Sequence, residues 1–158
     1  MYQKERISDN IDLEILSLMQ ENSRISNADI ARVLNMAPSA VFERVKKLEK
    51  KKIILQYTTR LNPEALNQNL IAFIYIQANK GIGNNNTALE LAKIAEVQEV
   101  HQVAGDDCYL LKIRTSDSAS LLEIMRNSMS KIPDIIITKT SIVLETTKEQ
   151  QQIVIHKE

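Results

Sequence analysis

The 158-residue sequence has a single cysteine, two histidines and only three glycines. With Cys108 alone, an internal disulfide framework is excluded. His101 and His156 are too few for the usual general-base and nucleophile pairings, and no Ser-His-Asp or Cys-His constellation has local support, so no enzyme is expected. His101, Asp106, Asp107 and Cys108 lie close together but lack the repeated pair spacing of a structural metal site. Gly81-Ile82-Gly83 follows one predicted strand and precedes a helix. The third glycine of a dinucleotide-binding loop is missing, because Asn86 stands there. No metal or cofactor is therefore expected. No stretch approaches the roughly 18 apolar residues of a membrane span, and the polar start Met1–Ser8 carries no secretory core. The chain reads as cytoplasmic.

Net charge is also missing: 20 basic residues balance 20 acidic ones. The balance is not uniform. Met1–Arg60 holds eleven Lys and Arg against eight Asp and Glu, and the remainder holds nine against twelve. A mildly basic front points to a polyanionic partner for that part.

The hydrophobic period changes once. Before Lys52, apolar residues recur at helical spacing. Ile11, Ile15, Leu18 and Met19 make one stripe behind an Asp9 cap, with Asp12 at the positive helix end. A second helix opens on Ser26-Asn27-Ala28-Asp29, which has capping-box spacing, and buries Ile30, Ala31 and Leu34. Asn35 tolerates the left-handed conformation that ends a helix, and Pro38 suits the first turn of the next. Val41, Val45 and Leu48 stripe that third helix.

Beyond Ile53 the texture is strand-like. Ile53–Leu61 is β-rich, and Asn62-Pro63 begins a turn. Strands are predicted at Leu70–Ala78, Val97–Ala104, Tyr109–Thr115 and Ile135–Glu145, with a short edge strand at Ile153–Ile155. A helix over Ala88–Ala95 is expected behind a Thr87/Glu90 capping box. Another follows Asp117 or Ser118, striped by Leu121, Met125, Met129 and Ile132. The predicted class is α+β. A three-helix helix-turn-helix of the winged type spans 1–52, a linker 53–69, and a ferredoxin-like βαββαβ domain 70–158.

Three helices with a short turn between the second and third are the order of a DNA-binding helix-turn-helix. On the third helix, Ser39, Ala40, Glu43, Arg44 and Lys47 lie off the core stripe. The first part of such a helix points at base edges, where Ser39, Glu43 and Arg44 can hydrogen-bond and Ala40 can touch a thymine methyl. Lys46, Lys47, Lys50, Lys51 and Lys52 suit phosphates. Ser26 and Asn27, at the start of the second helix, can hold another.

These residues are also a resemblance. Asp9-x-x-Asp12-x-x-Ile15-Leu16, Arg24-Ile25-Ser26-Asn27, Glu43-Arg44-Val45-Lys46-Lys47-Leu48-Glu49, Leu61-Asn62-Pro63 and Gly105-Asp106 followed by Tyr109 resemble, in order and spacing, the Lrp/AsnC family of leucine- and asparagine-responsive regulators. The resemblance implies a sequence-specific transcription regulator on double-stranded DNA. It implies a homodimer through the C-terminal domain, often assembled into octamers, with an amino-acid effector between neighbouring subunits. Carried onto this chain, the effector residues are Gly105, Asp106, Asp107, Cys108, Tyr109, Thr138 and Thr140.

Three departures stand out. Ala37 replaces the serine that usually precedes the proline, losing a cap worth about 1 kcal/mol. Lys52 stands where the family usually has glycine. Cys108 stands where many members have aspartate, and a thiol cannot hold an ammonium as a charge. An effector different from the usual one, or an architectural DNA-binding protein with no effector, are the two expectations this leaves.

Overall fold

The computed structural model describes residues 9–79, 85–105 and 108–156. The chain divides into two units: one runs to Arg60 and takes in Glu149–Glu158, the other is Leu61–Lys148.

In the first unit, α1 (Asn10–Glu21) opens on Asp9, whose Oδ1 accepts from the Ile11 N–H at 2.9 Å. α2 (Asn27–Leu34) is capped by Ser26, whose Oγ accepts from the Asp29 N–H at 3.1 Å. The Ser26 hydroxyl also donates to Asp29 Oδ2 at 2.6 Å, so the two capping side chains are paired with each other. Asn35 ends α2 at φ 52°, the left-handed conformation expected of it. α3 (Pro38–Lys50) starts with Pro38 in its first turn and no side-chain cap from Ala37. Ile15, Ile30, Ala31, Val41, Val45 and Leu48 form one buried cluster where the three helices meet.

The end of α3 explains one departure. Ile53 N–H donates to Leu48 O and Lys52 N–H to Glu49 O, both at 2.9 Å, the paired bonds of a Schellman cap. That cap needs a left-handed residue, and Lys52 supplies it at φ 55°. A lysine there is strained, whereas glycine is not. Lys52→Gly is therefore expected to stabilise the helical unit by about 1 kcal/mol, read as a rise in its denaturant midpoint with an unchanged slope.

The β-rich stretch Ile53–Leu61 forms no strand among the described residues. Leu55 and Leu61 are 82% and 62% exposed, so β-propensity is present without a neighbouring strand to accept it. Ile53 and Ile54 are held at the start of the stretch by the Leu48 carbonyl, and Tyr57 donates from its hydroxyl to Glu49 Oε1 at 2.8 Å. Burial first, then the adjacent Glu49 carboxylate, push the phenol up to about 12.

In the second unit, β1 (Leu70–Ala78), α4 (Asn85–Ala92), β2 (Val97–Gln102), β3 (Tyr109–Thr115), α5 (Ser118–Asn127) and β4 (Ile135–Ile142) follow the βαββαβ order. The sheet is antiparallel in the order β2-β3-β1-β4. Ala72, Ile74 and Ile76 alternate onto the face that carries Leu91, Leu121, Ile124 and Met129, which makes this unit's core. α4 begins earlier than the capping box predicts. Thr87 lies inside the helix, 1% exposed, and donates to Asp134 Oδ2 at 3.5 Å, so a long-range partner and not a cap occupies its hydroxyl. β4 ends at Ile142, and no strand forms at Ile153–Ile155. That segment groups with the helices of the first unit.

Candidate nucleic-acid interface and effector residues

Val41, Val45 and Leu48 turn one side of α3 into the helical core. The opposite side carries Ser39, Glu43, Lys46, Lys47 and Lys50, all exposed, with Ala40 at its margin. No carboxylate from another helix is bonded to Lys46, Lys47 or Lys50 among the ion pairs described. This face presents short polar groups near the helix start and lysines toward its end. That is the division between base contact and phosphate contact.

Phe42, beside Lys46, adds a feature that the sequence did not single out. Phe42 is 50% exposed, and Lys46 Nζ sits 5.8 Å from its ring centroid. Together with Ser26, Asn27, Glu49 and Tyr57 they line an open hollow of about 610 Å³. The start of α2 therefore lies beside a lysine of α3. An i, i+4 Phe-Lys pair on an otherwise polar face was the available signal. The Ser26 hydroxyl itself is engaged with Asp29, so α2 offers an anion its backbone and Asn27 before it offers that hydroxyl.

Arg44 is placed otherwise than expected. Its Nη1 donates to Asp9 Oδ2 at 2.6 Å and to Asp12 Oδ1 at 2.7 Å. The Asp12 side chain is only 14% exposed and that of Arg44 30%. The guanidinium holds the Asp9 carboxyl below the usual carboxylate range, through its hydrogen bond first, with the Ile11 N–H assisting. The same two carboxylates raise the Arg44 guanidinium further. Asp9 thus caps α1 with one oxygen and grips α3 with the other. The physical reason is position: Arg44 lies on the shoulder of the buried stripe, three residues after Val41 and four before Leu48. It turns toward α1, away from the outward face.

In the second unit, Gly105 has φ 132°, with open space where a side chain would start. Asp106 and Asp107 lie outside the described residues. Cys108 donates its backbone N–H to Ile76 O at 2.8 Å, and its Sγ reaches Ala78 O at 3.7 Å. Tyr109 is 1% exposed, because its rung opposite Ile76 faces the helices. Its ring is a core group, and burial raises its phenol, with Cys108 and Asp134 adding to the effect. Thr138 and Thr140 pair with Ile76 and Ile74 from the outer strand β4, on the helix-bearing face. Thr140 Oγ1 lies 3.9 Å from Met125 Sδ. The structure thus sets Cys108 and Thr138 on either side of the end of β1. Thr140 lies two residues further along β4.

Residues 71–153 match the model of the Lrp/AsnC ligand binding domain, and residues 8–54 match a winged helix-turn-helix DNA-binding model. The chain is 35% identical over 151 residues to the leucine-responsive regulatory protein of Escherichia coli (strain K12), covering 93% of this chain and 91% of that protein. Among solved structures it is similar to a transcriptional regulator of Neisseria meningitidis in complex with L-Met. There the TM-score is 0.86 at 27% identity, over 94% of this chain and 97% of that one. It is also similar to the feast or famine regulatory protein of Mycobacterium tuberculosis complexed with L-methionine, with TM-score 0.84 at 26% identity, over 93% and 99%.

Proposed function

The chain belongs to the Lrp/AsnC family of DNA-binding transcription regulators with an amino-acid effector domain, and from that premise we propose how its own residues divide the work. The outward face of α3 enters the major groove of duplex DNA. Ser39, Ala40 and Glu43 meet base edges, and Lys46, Lys47, Lys50 and Lys51 meet phosphates. The N-terminus of α2, with Ser26 and Asn27, takes a flanking phosphate beside Lys46. Arg44 fixes the angle of α3 through Asp9 and Asp12. The observation that carries this reading is the segregation on α3. Every lysine of the helix is exposed, and its one arginine is drawn into the fold.

Lys47→Ala tests it. Each phosphate contact contributes about 0.9 to the slope of log affinity against log salt. The variant is expected to flatten that slope by roughly one while leaving sequence preference intact. An unchanged slope removes Lys47 from the interface.

The protein acts inside the cell as a homodimer, further assembled into octamers. Two heads related by symmetry then read half-sites about one helical turn apart. The sheet face without helices supports dimerisation. It carries Tyr75, Leu110 and Ile137, of which Tyr75 and Ile137 are 38% and 49% exposed, and no described element of the chain covers it.

The effector is an amino acid with an apolar side chain, as in the methionine complexes of the similar structures. It lies near Gly105, Asp106, Asp107 and Cys108, with Thr138 and Thr140 from β4. Asp106 or Asp107 replaces the carboxylate missing at Cys108 as the partner of its ammonium. Millimolar methionine or leucine is expected to raise the melting temperature of the second unit. If none of the amino acids does so, the effector-independent architectural reading replaces this one.

A further inference from the structure

The segment after β4 returns to the helical unit, where the Gln20 side chain grips it. Gln20, near the end of α1, donates from Nε2 to the Ile153 carbonyl at 3.0 Å. Its Oε1 accepts from the Ile153 N–H at 2.9 Å. The carboxamide therefore pairs with both backbone groups of a single residue, as a neighbouring strand would. Gln152 Nε2 closes the arrangement by donating to the Gln20 carbonyl at 3.0 Å. The Ile153 and Val154 side chains stay 76% and 73% exposed. Ile155 is half-buried, so the amide pairing at Ile153 has one apolar side chain beside it. Neutral, solvent-exposed hydrogen bonds of this kind are individually weak, so the contact can open and close without unfolding the helices.

From this geometry we infer that Gln20 is a docking site for the chain's own C-terminal segment, and that the docked segment is a releasable second tether on the DNA-binding head. The chain leaves the helical unit through the linker and comes back directly from β4. Ten residues, Val143 to Gln152, separate the end of β4 from the docked Ile153. Fully extended they reach roughly 35 Å. Docking therefore limits where the head can go, and undocking leaves only the linker. β4 also carries Thr138 and Thr140. The regulatory half of this inference rests on the effector site proposed above, since a ligand that shifts β4 pulls on the tether. The docking half does not depend on it.

Amide hydrogen exchange on the full-length protein without DNA tests the docking. The Ile153 amide is expected to exchange roughly tenfold more slowly than in an unstructured chain, the effect of one net hydrogen bond. Gln20→Ala abolishes that protection. Free-rate exchange at Ile153, or protection that survives Gln20→Ala, overturns the docking.

The tether is tested with duplexes recovered by selection from a random pool, against the same duplexes with half a helical turn inserted between half-sites. Gln20→Ala and Ile153→Pro, which removes the donor from the tail side, are expected to lower the discrimination between the two spacings severalfold. Unchanged discrimination in both variants overturns the tether even where docking holds. If the protein binds no duplex at all, the proposed function fails, the tether fails with it, and the exchange result still decides the docking.

Discussion

Ile15→Ala is expected to cost the helical unit about 3 kcal/mol. Ile15 is fully buried at the centre of the three-helix cluster, against Ile30, Val41 and Leu48. Truncation removes the transfer free energy of three carbons and leaves a void that rigid helix axes cannot close. A unit of about 70 residues is stable by roughly 3.5–10 kcal/mol in total, so one such change removes about a third of that stability or most of it. The second unit has its own core around Ile74, Ile76, Leu111 and Ile113, which shares no residue with the first. In calorimetry or denaturant unfolding, the transition of the helical unit should move far down or vanish, while that of the sheet unit stays. DNA binding should fall in step. A uniform shift of both transitions would show that the units do not unfold separately.

Arg44→Ala should lower stability by about 2 kcal/mol, the range for a hydrogen bond to a charged group. Most of this comes from Asp12, left half-buried without its guanidinium. The Asp9 contact is exposed to solvent and adds little. Duplex affinity should fall tenfold or more, because α3 loses its anchor on α1. The manner of the loss separates two roles. A positioning residue weakens all sequences alike and leaves the salt slope unchanged. A phosphate contact flattens the slope by about 0.9, and a base contact relaxes preference at one position. Either of the last two results would return Arg44 to the DNA interface. Both bonds leave the single nitrogen Nη1, so Arg44→Lys, with three donors on one ammonium but a shorter stem, is expected to restore part of the loss.

The same ion pair predicts an acid limit. The folded pKa of Asp9 is depressed by Arg44, so its contribution is fully present above the usual aspartate value of about 3.9. It is lost as pH falls below that through the folded value. The helical unit of the wild type should therefore lose stability below about pH 4 more steeply than Arg44→Ala does.

Much of the architecture was legible in the residues. The box Ser26 to Asp29, the left-handed Asn35, Pro38 in the first turn of α3 and the strands Leu70–Ala78 and Tyr109–Thr115 stand in the structure as the sequence predicts. So does the outward placement of Ser39, Glu43 and Lys47. Each of these depends on neighbours within four residues: a cap, a period of 3.6 or 2, or a fixed φ. Even Lys52 could be flagged, because a position that prefers glycine marks a left-handed turn.

What the sequence could not decide was every question answered by a distant partner. Arg44 reads from its place off the core stripe as a base-contacting residue, yet Asp9 and Asp12, more than thirty residues away, claim its charge. Thr87 has the spacing of a cap, but Asp134 holds its hydroxyl from across the unit. Ile53–Leu61 and Ile153–Ile155 have the composition of strands, but a strand needs an adjacent edge. Gln20 offers Ile153 one amide where a strand would offer a ladder. The local rules therefore determined which helices and strands exist and that the front of the chain carries a DNA-reading helix. The tertiary structure decided that the arginine of that helix pairs with α1, because an ion pair is settled by whichever opposite charge the fold brings within reach.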